Sequence, residues 1–165
     1  MATGVGTLFK TRLSTGGATL SGSTFKAFLY STGWIDIAST TRQTQDYLLN
    51  APNSSQSLHA FYLSTVGPIT LGARTFAEVD ARAAVEIDST DITFTAVSSS
   101  AAGTTAGVVG GCAIVAELQA ADSSGRVLAT YYDFSTAVTA NGGDLTVQFS
   151  TGGFLEYLAS TSQAS

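Results

Sequence analysis

The sequence predicts an all-β fold, mainly an antiparallel β-sandwich or a jelly-roll-like barrel, with at most one or two short helices. Three observations lead there. Apolar and polar residues alternate with a period of two in several segments. Turn-forming residues separate those segments. Windows with a 3.6-residue apolar period are nearly absent, so helical crossovers between parallel strands are not expected.

The elements follow in chain order. "GTLFKTRL" (6–13) predicts a short N-terminal helix burying Leu8, Phe9 and Leu13. "STGGATLSGS" (14–23) is a small-residue loop, so residues 1–23 are expected as an N-terminal arm or short helix. A single sandwich domain is expected over 24–158. "TFKAFLY" (24–30) is its first strand, rich in aromatic and β-branched residues. "TQDYLLN" (44–50) fits one helical turn before Ala51-Pro52. Further strands are predicted at 59–63, 74–79 and 82–87. "DITFTAV" (91–97) sets Ile92, Phe94 and Ala96 opposite Thr93 and Thr95. The turn "DSTD" before it holds Asp88 and Asp91, whose carboxylates suit turn amides.

"SSSAAGTTAG" (98–107) reads as a loop. Strands at 108–118 and 126–134 flank "DSSG" (122–125), a hairpin turn with Gly125 at a position needing positive φ. Gly110 and Gly111 mark a bulge or a close strand approach. Tyr131 and Tyr132 are adjacent in a strand and face opposite sides, one toward the core and the other exposed or at an interface. "TANGGDLTVQF" (139–149) is a turn at Asn141-Gly142-Gly143, capped by Asp144, feeding a strand that buries Leu145, Val147 and Phe149. The last strand is 154–158, and 159–165 is a flexible tail. Phe94, Ile114, Val147 and Phe149 are the expected core markers.

Composition narrows the function. Of 165 residues, 44 % are apolar and only 12 % are charged, against roughly 25 % charged in average soluble domains. The polar surface must be built from Ser, Thr, Gly, Asn and Gln, which suits a protein packed against copies of itself or a larger assembly. The seven Lys and Arg are scattered and the net charge is −5, so a nucleic-acid surface is not expected. Neither a polybasic patch nor a long apolar run marks a membrane site, and "MATGVGTLFK" lacks the features of a signal peptide.

Catalytic patterns are missing. His59 is the single histidine and Cys112 the single cysteine. One of each cannot supply a structural zinc site. His59 has no G-x-S-x-G elbow to serve, and Cys112 sits in an apolar run as a small buried hydrophobe. "GVVGGCAIV" lacks the lysine and following helix of a phosphate loop. No catalytic, cofactor-binding or metal-ligating residues are assigned, no cofactor is expected, and the chain reads as a non-enzyme. A carbohydrate-binding module using an exposed Trp34 or Tyr is an alternative.

"ITFTAV", then "CAIVAEL", then "VLATYYDFSTAVTANGGDLTVQFSTGGFL" resembles a family of small β-rich virion proteins of tailed bacteriophages. Members commonly show a strand like "ITFTA", a strand ending near "YYDF" and an Asn-Gly-Gly-Asp turn before a final strand. "TFKAFLY" is similar to the family's early strand. The similarity covers about residues 88 to 158. It implies a structural component of the virion, assembled in the host cytoplasm: a capsid decoration or cement protein, or else a neck, tail or fibre component. Its partners would be the major capsid protein or other virion proteins, and copies of itself in a trimer or dimer.

Overall fold

The computed structural model describes residues 2–14, 22–35, 61, 63, 66–79, 84–98, 108–117, 126–149 and 153–158. Leu8's side chain, the turn at 44–50, His59, loop residues 99–107, the "DSSG" turn and the tail 159–165 lie outside that description.

The described residues form an all-β fold with one short helix. Its elements are β1 (Ala2–Val5), α1 (Thr7–Ser14), β2 (Thr24–Ser31), a 3-10 turn (Thr32–Trp34), β3 (Ile69–Thr70), β4 (Arg74–Val79), β5 (Ala84–Ser89), β6 (Ile92–Phe94), β7 (Val108–Glu117), β8 (Arg126–Thr139), β9 (Leu145–Val147) and β10 (Leu155–Leu158). Five strands form one sheet in the order β1-β8-β7-β2-β3, three form a second in the order β10-β5-β4, and β6 pairs with β9 as a ribbon. Every pairing is antiparallel.

The large core lies between the five-stranded sheet on one side and α1, the three-stranded sheet and the ribbon on the other. Phe25, Ala27 and Leu29 of β2 enter it, as do Cys112, Ile114 and Ala116 of β7 and Val127 and Ala129 of β8. Phe9, Ile87, Phe94, Val147 and Leu155 meet them from the opposing elements. This is a sandwich-like arrangement, in which burial of each large side chain contributes roughly 1.5–3 kcal/mol.

A second cluster covers the other face of the five-stranded sheet. Phe28, Tyr30, Ala113, Val115, Leu128 and Tyr131 gather around Trp34. The Trp34 ring stands edge-on to Tyr30 at 4.6 Å and to Tyr131 at 5.6 Å, a favourable aromatic geometry. Strands buried on both faces have no reason to alternate, which explains the continuous apolar run of β7.

Tyr131 and Tyr132 do face opposite sides, but neither reaches open solvent as a free face. Tyr131 belongs to the Trp34 cluster and Tyr132 packs against the large core. The expectation that one of them is exposed is therefore corrected. The β7–β8 ladder also shifts register between Ile114 and Val115, because Ile114 pairs with Thr130 while Val115 pairs with Leu128. Ala129 is the extra residue of that bulge.

The N-terminal segment is built into the sandwich. β1 pairs with β8 from Ala2↔Asp133 to Val5↔Thr130, and the Gly6 amide donates to the Ala129 carbonyl at 2.9 Å. α1 then seats Phe9 in the core, edge-on to Phe25 with ring centroids 6.0 Å apart. "ATGV" carries too little apolar contrast to announce a strand; the open edge of β8 organises it.

Candidate functional site

The Asn-Gly-Gly-Asp corner is the most conspicuous motif, and its geometry is that of a structural turn. Gly142 has φ +85°, which a residue with a Cβ rarely adopts. The Gly143 amide donates to Asn141 Oδ1 at 3.0 Å, so Asn141 closes the turn through its own side chain. The Gly142 amide donates to the Val97 carbonyl at 2.8 Å, and the Val97 amide donates to the Gly143 carbonyl at 2.9 Å. This reciprocal pair ties the corner to the exit of β6.

Asp144 does not cap its own turn. Its Oδ1 accepts the Ala96 amide at 3.0 Å, across the ribbon, where Ala96 has φ +51°. At the other end, Asp91 Oδ1 accepts the Phe149 amide at 3.1 Å. Asp88 behaves as expected for a turn carboxylate, accepting the Ser89 amide at 2.8 Å. Asp91 and Asp144 thus hold opposite ends of the three-pair ladder Ile92↔Val147, Thr93↔Thr146 and Phe94↔Leu145.

Phe149 leaves the ribbon after its last pair and is only half-buried, whereas Phe94, Ile114 and Val147 are buried as expected. Its ring tilts against Tyr132 at 6.1 Å and Phe154 at 5.5 Å. Leu145 is likewise half-buried. The short ladder ends before the alternation does, so the predicted strand 145–149 shortens to three residues.

A buried polar group lies at the centre of the five-stranded sheet. The Tyr30 hydroxyl sits 2.8 Å from both the Tyr132 carbonyl and Asp133 Oδ1, which share its single proton. Tyr30 is fully buried and Asp133 is 6 % exposed. The hydroxyl occupies the space above Gly111, where an added Cβ would collide with Tyr30 Oη and the Tyr132 carbonyl. The ladder shifts register between Val109 and Gly111. The glycine pair therefore marks both a bulge and a close approach. The partnership of Tyr30 with Asp133 was invisible in the sequence because 103 residues separate the two.

Cys112 is fully buried and free, and burial pushes its thiol up to about 12. A thiol held protonated is a poor nucleophile and metal ligand. Burial likewise raises Tyr132 above its ordinary value of 10.0, and its hydroxyl donates to the Phe154 carbonyl. Trp34 is fully buried; a sugar-stacking role that needs this ring exposed is corrected.

An open groove of about 380 Å³ runs between the distal part of β8 and β9. Phe134, Val138, Leu145 and Val147 give it an apolar lining, and Ser135, Thr146 and Gln148 its polar part. It holds no titratable side chain. Among the described residues no group of three or more His, Cys, Asp and Glu side chains could hold a metal ion, and no helix is long and apolar enough to cross a membrane. No protein-family model, no curated protein and no solved structure matches the chain.

Proposed function

We propose that the chain is a structural protein of a tailed-bacteriophage virion, acting as a capsid decoration or cement protein. The observation that carries the reading is the chemistry of its exposed ribbon and distal β8. Thr93, Thr95, Ser135, Thr136, Thr139, Thr146 and Gln148 are all exposed and all neutral. Between the carboxylates Asp91 and Asp144 at the ribbon's ends, these positions offer neutral groups that can dock on another protein without stripping water from charges, a step that costs several kcal/mol per buried ion. The resemblance of "ITFTAV", "YYDF" and "NGGD" to phage virion proteins supplies the setting. These segments form β6, the middle of β8 and the corner before β9. A decoration protein of this kind binds neighbouring capsid subunits and braces them.

The test is quantitative. Purified particles should contain the protein in hundreds of copies by gel densitometry, and particles lacking it should lose thermal or mechanical resistance that returns on adding the purified chain. A few copies per particle would instead indicate a neck, tail or fibre component. Absence from particles would overturn the virion reading.

A further inference from the structure

Strand β4 ends its sheet, with β5 on one side and no described strand on the other. Register places Phe76, Ile87 and Leu155 in one row across β4, β5 and β10. Ile87 and Leu155 are buried, but Phe76 is 43 % exposed. An apolar row thus runs out of the core and stops at a strand edge that no described strand covers, a configuration that invites another strand.

We infer that β4 pairs antiparallel with β4 of a second copy across a two-fold axis at Phe76, joining the two three-stranded sheets into one of six strands. The sequence Arg74-Thr75-Phe76-Ala77-Glu78 is self-complementary in that register. Phe76 meets the second copy's Phe76, Thr75 meets its Ala77, and Arg74 takes the register position opposite its Glu78, so the charges match at both ends. A slip by one residue would set the core-facing side of one copy against the solvent-facing side of the other. A slip by two would oppose Phe76 to a charged residue. Arg74 is already anchored at the start of the strand: Nη1 donates to the Ser23 carbonyl at 2.6 Å, and the guanidinium lies 5.1 Å from the Phe25 ring centroid. That bond uses one of five N–H donors. The contact is isologous, so it closes at two copies.

The pairing deepens the self-association that accompanies the virion reading, and it is tested on the purified chain alone. Sedimentation velocity of the wild type should show a concentration-dependent monomer–dimer equilibrium. Phe76→Lys should abolish the dimer while its circular dichroism stays that of the wild type and its melting matches that of the wild type diluted to monomer. Glu78→Arg should also abolish it, and the double variant Arg74→Glu/Glu78→Arg should restore it. Should either lysine or arginine variant fail to fold, Phe76→Cys provides an independent reading: mild oxidation should link the two copies through position 76, since the native Cys112 is buried. A wild type that stays monomeric, a trimer, a dimer that survives Phe76→Lys in folded form, or a Phe76→Cys protein that does not cross-link would each overturn the pairing. Because no particle enters these measurements, their failure leaves the virion reading to its own copy-number test.

Discussion

The middle of the five-stranded sheet and the β6–β9 ribbon solve the same backbone problem in opposite ways. In the middle, β2 and β7 bury nearly every side chain on both faces. In the ribbon, Ile92 and Phe94 are buried while Thr93 between them is exposed. The first region is held by packing on two sides. The second is held by packing on one side and by carboxylates at its ends. Substitutions should therefore be costly in the first and graded in the second.

The sharpest way to break the first region is Gly111→Ala. The new Cβ would collide with the Tyr132 carbonyl and with the Tyr30 hydroxyl. The hydroxyl can move only by leaving Asp133 and disturbing the Trp34 cluster, and the carbonyl belongs to the paired β8 backbone. A loss of about 4 kcal/mol or more is expected, measured as a shift in urea midpoint. Thr146→Ala, in the ribbon, should lose only a few tenths of that scale, since its hydroxyl bond to Thr93 at 2.9 Å is exposed.

Alkaline pH probes the same region without mutation. Cys112 keeps its proton in the folded chain up to about 12, against an ordinary value of 9.0. The unfolded chain releases that proton first, so the stabilisation is complete below pH 9 and is lost as pH rises toward 12. The full gap corresponds to roughly 4 kcal/mol. The upward shift of Tyr132 acts in the same direction above pH 10.0. Urea midpoints measured against pH should fall through this window. Cys112→Ala should flatten the fall just above pH 9, while lowering stability at neutral pH through the cavity it leaves.

Within the large core, Phe94 and Phe149 measure how far the ribbon's packing reaches. Phe94 is fully buried at its last pair, so Phe94→Ala should cost about 3–5 kcal/mol. Phe149, half-buried beyond the ladder, should cost about half as much. Equal losses in chemical denaturation would mean that Phe149 is as fully enclosed as the strand residues.

What was legible in the sequence follows from these two regions. Alternation identified β6 and β9 because one face of each meets water, while residue content and the turns between segments placed β2, β4, β5, β7 and β10 to within a few residues. It could not show that both faces of β7 are covered, because the covering residue Trp34 lies in a 3-10 turn with no periodic signal. It missed β1 and β3, whose two to four residues take their geometry from a neighbouring edge. It stopped β8 at residue 134, although the strand continues through exposed "STAVT" to Thr139. The corner glycines were readable as a turn from their chemistry. The carboxylate partners were not, since Asp91 and Asp144 bond to segments 58 and 48 residues away.

Those two carboxylates give the smallest and most local test. Asp144→Ala removes the acceptor of the Ala96 amide, and Asp91→Ala removes that of the Phe149 amide. Each bond is exposed, so each loss should be on the order of 1 kcal/mol. The consequence should also be directional. Without Asp144, the corner still has the paired bonds between Val97 and Gly142-Gly143, so amide exchange should rise at Ala96 and little elsewhere. Without Asp91, the Phe149 end has no comparable second tie among the described bonds, so exchange should spread from Phe149 into Val147. Residue-resolved hydrogen exchange distinguishes the two. Identical exchange profiles in both variants would mean that the ribbon opens as one unit, and that its ends are not held independently.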